Sequence, residues 1–155
     1  MKTKIGIFAA ILCGFTLSGN TQRSAKELLV DNAQIVVEAE VIDYSLGRIS
    51  EMVLIKTAHK IKVLKVLKGK EKLSLGDEIW VGVATLKTLY EIPTLGGRYL
   101  YFIEEKIQGD TRVRGINGSE MEKVNYSTTD TWFGCLESKD FMVFSIEHFL
   151  EQRKE

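Results

Sequence analysis

The sequence predicts a small, mainly β domain: a β-barrel with a helix at each end. Three blocks of strand-forming residues with turn signals between them carry this prediction, at 63–69, 76–81 and 96–103. Apolar residues at helical spacing then close the chain at 142–150. Because β-branched and aromatic residues dominate the three blocks, we expect a sheet rather than a helical bundle.

Residues 1–18 are predicted to be a cleavable export signal. Lys2 and Lys4 give a positive start, residues 5–17 form an uncharged apolar run, and Ser18 supplies a small residue near the expected cleavage point. The run is shorter than the ~20 apolar residues of a membrane span, so an uncleaved anchor is the less favoured alternative. We therefore expect a periplasmic or secreted protein without a transmembrane segment after signal cleavage.

Residues 24–155 are predicted to form a single domain. Charged residues make up 27% and hydrophobic residues 45% of the chain, which is a normal globular balance. The formal net charge of +0 argues against nucleic acid as a partner, because phosphate binding depends on excess Lys and Arg. With Cys13 inside the signal, the mature chain keeps only Cys135, so no internal disulfide can form. We expect a buried, inert thiol, with pairing between chains as the alternative.

The first elements of the domain are a short helix and a strand. Ser24 and Glu27 stand at capping-box spacing before an apolar run, which predicts a helix over 25–31. Strict alternation of apolar and polar residues follows, which is typical of a half-buried strand. The apolar face of this strand consists of Ile35, Val37, Ala39 and Val41.

A second, longer strand is predicted from near Glu51 to Lys68. Its apolar alternation changes phase, because Ile61 and Val63 share one parity whereas Val66 has the other. A β-bulge near Val63 explains the change, since one extra residue shifts the alternation and bends the strand.

Seven lysines lie within or just after this second strand. We interpret them as protection of a strand edge, because charged side chains hinder edge-to-edge pairing, with a partner-docking patch as the alternative. A nucleic-acid site would need exposed aromatic residues between the lysines. The lysines are Lys56, Lys60, Lys62, Lys65, Lys68, Lys70 and Lys72.

Two further strands follow. In the third, Ile79, Val81 and Val83 are predicted to face inward and Trp80 outward. The fourth, over 98–104, is apolar on both faces. Another element must therefore cover its outer face.

A hairpin, a polar loop and a helix are predicted to end the chain. Asn117-Gly118 indicates a two-residue hairpin turn between strands at 111–116 and 120–126, followed by a polar loop at 127–131. A helical stripe comes last, with Ser138 or Asp140 as its N-cap and a strand over 141–146 as the alternative. The stripe consists of Met142, Ile146, Phe149 and Leu150.

The sequence offers no constellation typical of a metal or cofactor site. His59 and His148 each lack a second ligand at helical spacing, and adjacent carboxylates on a strand face opposite ways. We therefore predict no metal and no cofactor. Cys135 would have a base in reach only if the terminal helix brought His148 over its loop.

Aromatic side chains are the candidate binding residues. Tyr90 and Trp132 would stand at the mouth of the barrel, where a glycan or lipid could contact them. Trp132 and Phe133 either contact such a ligand or pack against the barrel and attach their loop to it. Trp80 is either a contact residue or the seat of a covering helix.

The order of these signals resembles the bacterial relatives of tissue inhibitors of metalloproteinases, the netrin-like branch of the OB-fold. The blocks that carry the resemblance are 32–41, 65–69, 76–81 and 97–102. It implies a five-stranded OB-like Greek-key barrel flanked by helices. Animal inhibitors of this kind bind the protease zinc through a mature N-terminal cysteine, and the residues near Ser18 contain none. The resemblance therefore assigns no functional residue in this chain.

These observations predict an exported, non-enzymatic protein-binding module of the bacterial envelope. Inhibition of a protease and neutralisation of a toxin are special cases of this function. A glycan- or lipid-binding barrel is the alternative, because OB surfaces often bind oligosaccharides. A small envelope thiol enzyme using Cys135 is the second alternative. The sequence identifies neither the partner protein nor the oligomeric state.

Overall fold

The computed structural model of the protein describes residues 24–46, 55–84, 92–105, 110–129 and 134–154. Neither helix in these ranges has the length and the apolar composition of a membrane span. The elements, in chain order, are α1 (Ala25–Asn32), β1 (Ile35–Leu46), β2 (Ile55–Lys68), β3 (Glu78–Ala84), β4 (Arg98–Glu104), β5 (Arg112–Val113), β6 (Glu122–Lys123), β7 (Tyr126–Thr128), β8 (Cys135–Glu137) and α2 (Asp140–Glu151).

Five strands close into a barrel. β1 pairs antiparallel with both β2 and β4, and β2 pairs antiparallel with β3. β3 then pairs parallel with β7, and β7 pairs antiparallel with β4. The strand order β1-β2-β3-β7-β4 therefore returns to β1, which confirms the predicted five-stranded, OB-like Greek-key barrel with a helix near each end.

The fifth strand of the barrel is interrupted. Both β7 and β8 pair antiparallel with β4, on the two sides of Phe102. The Phe102 N–H donates to the Gly134 carbonyl, and its carbonyl accepts from the Thr129 N–H, each at 2.9 Å. β7 and β8 are thus two halves of one strand, and residues 130–133 connect them. The polar loop predicted at 127–131 is wrong for 127 and 128, which belong to β7.

The two longest strands contain the irregularities that bend them around the barrel. Leu64 and Leu67 of β2, and Ile42 of β1, have no directly opposite residue in the β1–β2 ladder. The bulge predicted near Val63 is therefore confirmed at Leu64. Beyond it, Val66 takes the inward position that Val63 holds before it.

Separate cores lie inside and outside the barrel wall. The inner core contains Ile35, Val37, Ala39, Val41, Ile61, Val63, Leu73, Val81, Tyr101 and Ile103. The outer core joins the two helices to β4 and β1, and contains Leu29, Val30, Ala33, Val36, Leu67, Leu100, Phe102, Val143 and Ile146. Both faces of β4 are thus buried, as its apolar pattern predicts, and the helices are the cover.

The helix α1 is fixed at its start and at its end. Ser24 Oγ accepts from the Glu27 N–H, and the Glu27 carboxylate accepts from the Ser24 N–H, which confirms the predicted capping box. At the other end, Lys68 Nζ donates to the carbonyls of Val30, Asp31 and Ala33. This lysine satisfies carbonyls that the helix itself leaves unpaired.

The hairpin β5–β6 forms, but its turn differs from the prediction. Arg112 pairs with Lys123, and residues 114–121 connect the strands, so the turn is not a two-residue one. Asn117 lacks the positive φ that such a turn needs. Its N–H instead donates to the Asp43 carboxylate at 3.3 Å, while the Ile116 N–H donates to the Tyr44 carbonyl at 2.9 Å. Contacts with the end of β1 therefore decide the loop conformation.

Candidate functional site

Trp80 points away from the barrel axis, as predicted, yet only 3% of it is exposed. It packs with Ala58, Val113 and Val124 beneath the hairpin β5–β6. The cover is therefore a hairpin rather than a helix. Since the hairpin buries the indole, Trp80 is not available to a partner in this conformation.

Polar contacts also hold the hairpin on the β2–β3 wall. Lys60 Nζ lies 2.8 Å from Glu122 Oε1, and this hydrogen bond lowers the pKa of the Glu122 carboxyl. The nearby Trp80 indole N–H also lowers the pKa of the Glu122 carboxyl. Among the described residues, however, this N–H makes no hydrogen bond of ordinary geometry. The hairpin thus covers this wall through both apolar and charged contacts.

The other three predicted binding residues, Tyr90, Trp132 and Phe133, lie outside the described residues. The structure fixes only where the segment containing Trp132 and Phe133 leaves and re-enters the barrel. Thr129 and Gly134, on its two sides, are both hydrogen-bonded to the backbone of Phe102.

A chain of three polar side chains crosses the inner core. Cys135 packs against this core next to Tyr101, whose Oη lies 2.8 Å from His59 Nδ1. Burial raises the pKa of Tyr101 well above its usual value and lowers the pKa of His59 to about 4. At neutral pH His59 is therefore uncharged, and it is a weak base that contacts the phenol rather than the thiol.

The pairing of Cys135 with His148, which a thiol enzyme would need, does not form. Cys135 packs with the inner core next to Tyr101. His148 is exposed on α2, which packs on the opposite face of β4, and its contacts are Phe144 and Gln152. Within the described part of the chain, no three His, Cys, Asp or Glu side chains form a group that could hold a metal ion.

The start of α2 is fixed by a buried carboxylate. Glu38 of β1 accepts hydrogen bonds from Arg98 Nη2 and from Ser138 Oγ, each at 2.6 Å. Ser138 is therefore not the N-cap of α2. Neither is Asp140, because the N-cap is Lys139, which makes no side-chain capping bond. Asp140 instead lies in the first turn of α2, where its negative charge interacts favourably with the positive end of the helix dipole.

The rest of α2 forms because its sequence has no Gly or Pro and has apolar residues at helical spacing. The predicted helix is confirmed, and the alternative of a strand over 141–146 is wrong. Val143 and Ile146 are buried in the outer core, with partly buried neighbours packed around them. The neighbours on α2 are Met142, Phe149 and Leu150, which together with Ile146 form the predicted stripe.

The opposite side of α2 carries aromatic side chains that face solvent. Phe141 and Phe144 are each 70% exposed. The His148 ring is parallel to the Phe144 ring, with 6.4 Å between their centroids. These three residues, which we call the α2 outer face, follow one another at spacings of three and four. They therefore form one continuous stripe along the helix.

This stripe differs from the other exposed apolar residues of the described ranges, which are aliphatic. Burying a phenylalanine side chain stabilises a protein by roughly 1.5–3 kcal/mol, and two that stay exposed on one helix do not contribute this stabilisation. Exposed apolar patches of this kind mark interaction sites. The aliphatic residues are Leu28, Leu46, Leu75, Ile92, Leu95, Ile116 and Met121.

Sequence reasoning missed the α2 outer face although a signal for it was present. At 100° per residue, Phe141, Phe144 and His148 lie on the side of the helix opposite to Ile146 and Leu150. Two phenylalanines outside an otherwise sufficient apolar stripe indicate a second apolar surface.

No protein-family model matches this chain, and no curated protein matches it significantly. The resemblance to netrin-like proteins therefore stays a prediction.

Proposed function

We propose that the protein is an exported, non-enzymatic protein-binding module whose docking surface is the α2 outer face. The observation that carries the proposal is the 70% exposure of both Phe141 and Phe144 on one helix. Aromatic residues that become buried at the centre of an interface supply much of its binding energy. Inhibition of a protease or neutralisation of a toxin in the bacterial envelope would be specific forms of such docking.

The anchoring of α2 supports a role in presenting a preformed surface. Lys26 of α1 contacts Ser145, and Arg153, just beyond the helix, pairs with Asp31. On the other side, Lys65 of β2 lies 2.7 Å from Glu147. A helix held from both sides loses little conformational entropy when a partner binds, which favours affinity.

The two alternatives have less support. A glycan- or lipid-binding barrel would use Tyr90 and Trp132 at its mouth, which lie outside the described residues, and the hairpin buries Trp80, the other candidate. A thiol enzyme would need a base at Cys135, whereas His148 lies on the other side of β4 and His59 contacts Tyr101. Protein docking through the α2 outer face requires no rearrangement of either kind.

The docking proposal is tested by affinity capture with matched variants. The mature protein, starting at residue 19, is immobilised and exposed to envelope extract, beside a Phe141→Ser/Phe144→Ser variant and a Leu75→Ser control. Leu75 is 76% exposed on a turn after β2, so it matches the phenylalanines in exposure. We expect a partner protein that the wild type and the control retain, and that the double variant retains at least about tenfold less.

Capture must then be reproduced with the purified partner in a direct titration. A partner whose affinity is the same for the double variant and the wild type would contradict the assignment of the surface. The absence of any reproducibly retained protein would contradict the function itself.

Export is tested separately, with the full chain carrying a C-terminal tag in a bacterial host. We expect the product in the periplasmic fraction or the medium, with an N-terminus near residue 19. A product that stays in the cytoplasm and begins at Met1 would contradict this part of the proposal.

A further inference from the structure

The charges beside the α2 outer face are one-sided. Asp140, Glu147 and Glu151 follow one another at spacings of seven and four, which places them within about 40° of each other around the helix. We call these three residues the acidic flank. The other flank of the stripe carries the neutral residues Ser145 and Gln152 and lies toward α1, since Lys26 contacts Ser145.

Nearby cations balance the acidic flank only in part. Glu147 is paired with Lys65 at 2.7 Å. The Arg98 guanidinium lies 4.0 Å from Asp140, but it is 2.6 Å from the buried Glu38, and the Asp140 side chain is 98% exposed. Within the described residues Glu151 makes no ion pair. Two carboxylates beside the α2 outer face are thus available to an incoming cation, Asp140 next to Phe141 and Glu151 one turn beyond His148.

We propose that the α2 outer face binds an amphipathic helix of another protein whose apolar stripe is bordered by lysine or arginine. This inference rests on the proposed docking function and names the kind of partner surface that fits it. Exposed residues at spacings of three and four form the ridge that packs into the groove of a second helix. Basic residues along one border of the partner's stripe would then meet Asp140 and Glu151.

Two other occupants fit the charges less well. A second copy of this chain, packed antiparallel on the same face, would set the acidic flank against itself, and like charges at such positions destabilise a helix pair. A membrane surface rich in anionic lipid would be repelled by the same carboxylates. A basic helix is the occupant that satisfies both the apolar and the charged parts of the surface.

The test uses two synthetic 18-residue amphipathic peptides with the same leucine stripe. One borders the stripe with lysine and the other with glutamate, and each carries a fluorophore for anisotropy titration against the mature protein. We expect the lysine peptide to bind at least about tenfold more tightly at low ionic strength. The difference in affinity should shrink in about 0.5 M salt, because salt at this concentration screens interactions between exposed charges.

Variants identify the residues responsible. Asp140→Lys/Glu151→Lys should reverse the preference, so that the glutamate peptide binds more tightly. The matched control Glu71→Lys/Glu120→Lys changes two exposed carboxylates elsewhere and should leave the preference unchanged. Phe141→Ser/Phe144→Ser should weaken both peptides by about tenfold or more.

Four results would overturn the inference. They are equal binding of the two peptides, a preference that survives the Asp140→Lys/Glu151→Lys change, a Phe144-dependent dimer in sedimentation equilibrium, and Phe144-dependent binding to phosphatidylglycerol vesicles. A captured partner that needs the phenylalanines but binds the charge-reversed variant equally well would reject the basic helix and leave the docking function standing.

Discussion

Two walls of this barrel are covered from outside, and the two covers present different surfaces to solvent. On the β2–β3 wall, the hairpin β5–β6 covers Trp80 and leaves it 3% exposed. On the β4 wall, α2 covers Leu100 and Phe102 but itself presents Phe141 and Phe144 to solvent. The direction of a side chain on a strand therefore does not determine its exposure. The segment that covers the wall determines it.

The largest expected effect is a difference in unfolding free energy between a substitution under the hairpin and one on the exposed side of α2. Trp80→Ala should lower the free energy of unfolding by about 3–5 kcal/mol, because it empties the centre of a packed cluster. Phe144→Ala should change it by no more than about 0.5 kcal/mol, because that ring is already in water. Urea unfolding of both variants measures the difference. Similar losses for the two variants would show that the walls are not distinct in this way.

Acid should lower the free energy of unfolding through His59, which lies on the inner side of β2 in the wall that the hairpin covers. Burial lowers the pKa of His59 to about 4, below the 6.5 of an exposed histidine. The unfolded chain therefore binds more protons than the folded one between these values. The contribution of uncharged His59 to the free energy of unfolding is fully present above pH 6.5. It is lost as the pH falls to 4, and the loss amounts to about 3 kcal/mol.

Unfolding between pH 7 and 4 tests this, with a variant for each histidine. His59→Gln should flatten the pH dependence over this range, because the titrating group is gone. His148→Gln removes the exposed ring on α2 and should leave the dependence as in the wild type. A wild-type curve that stays flat down to pH 4 would contradict the role of His59.

Much of the fold could be predicted from the sequence because its signals are local. The change of apolar phase along β2 places the bulge, and the capping-box spacing of Ser24 and Glu27 places α1. The apolar residues on both faces of β4 predict an outer cover, although they do not say which element supplies it. In each case the residues that decide the structure are within a few positions of one another.

The rest depends on contacts between distant segments. β7 and β8 are three residues each, too short to show a period, so the fifth strand could not be recognised. The Asn117-Gly118 signal was overruled by Asp43, about seventy residues earlier in the chain. The hairpin that covers Trp80 is also distant in sequence, so the local pattern around Trp80 could not predict its burial.

A smaller effect tests how firmly the hairpin loop is seated on β1. A Cβ on Gly115 would lie 1.8 Å from Asp43 Oδ2, and this carboxylate cannot move without losing its bond to Asn117. Gly115→Ala should therefore lower the free energy of unfolding by about 1–3 kcal/mol. Gly118→Ala is the matched control, since its Cβ would have no neighbour closer than 3.5 Å. Equal effects at the two glycines would show that the loop is not seated on Asp43.

The smallest expected effect compares the ion pair that each wall makes with its cover. Lys60–Glu122 joins β2 to the hairpin at 2.8 Å, and Lys65–Glu147 joins β2 to α2 at 2.7 Å. Both pairs are partly exposed, so double-mutant cycles with Met and Gln should give coupling energies of about 0.2–1 kcal/mol, smaller at high salt. We expect the larger coupling at Lys60, whose side chain is 21% exposed, against 45% for Lys65. A larger coupling at Lys65 would contradict this order and would mean that charge holds α2 more strongly than it holds the hairpin.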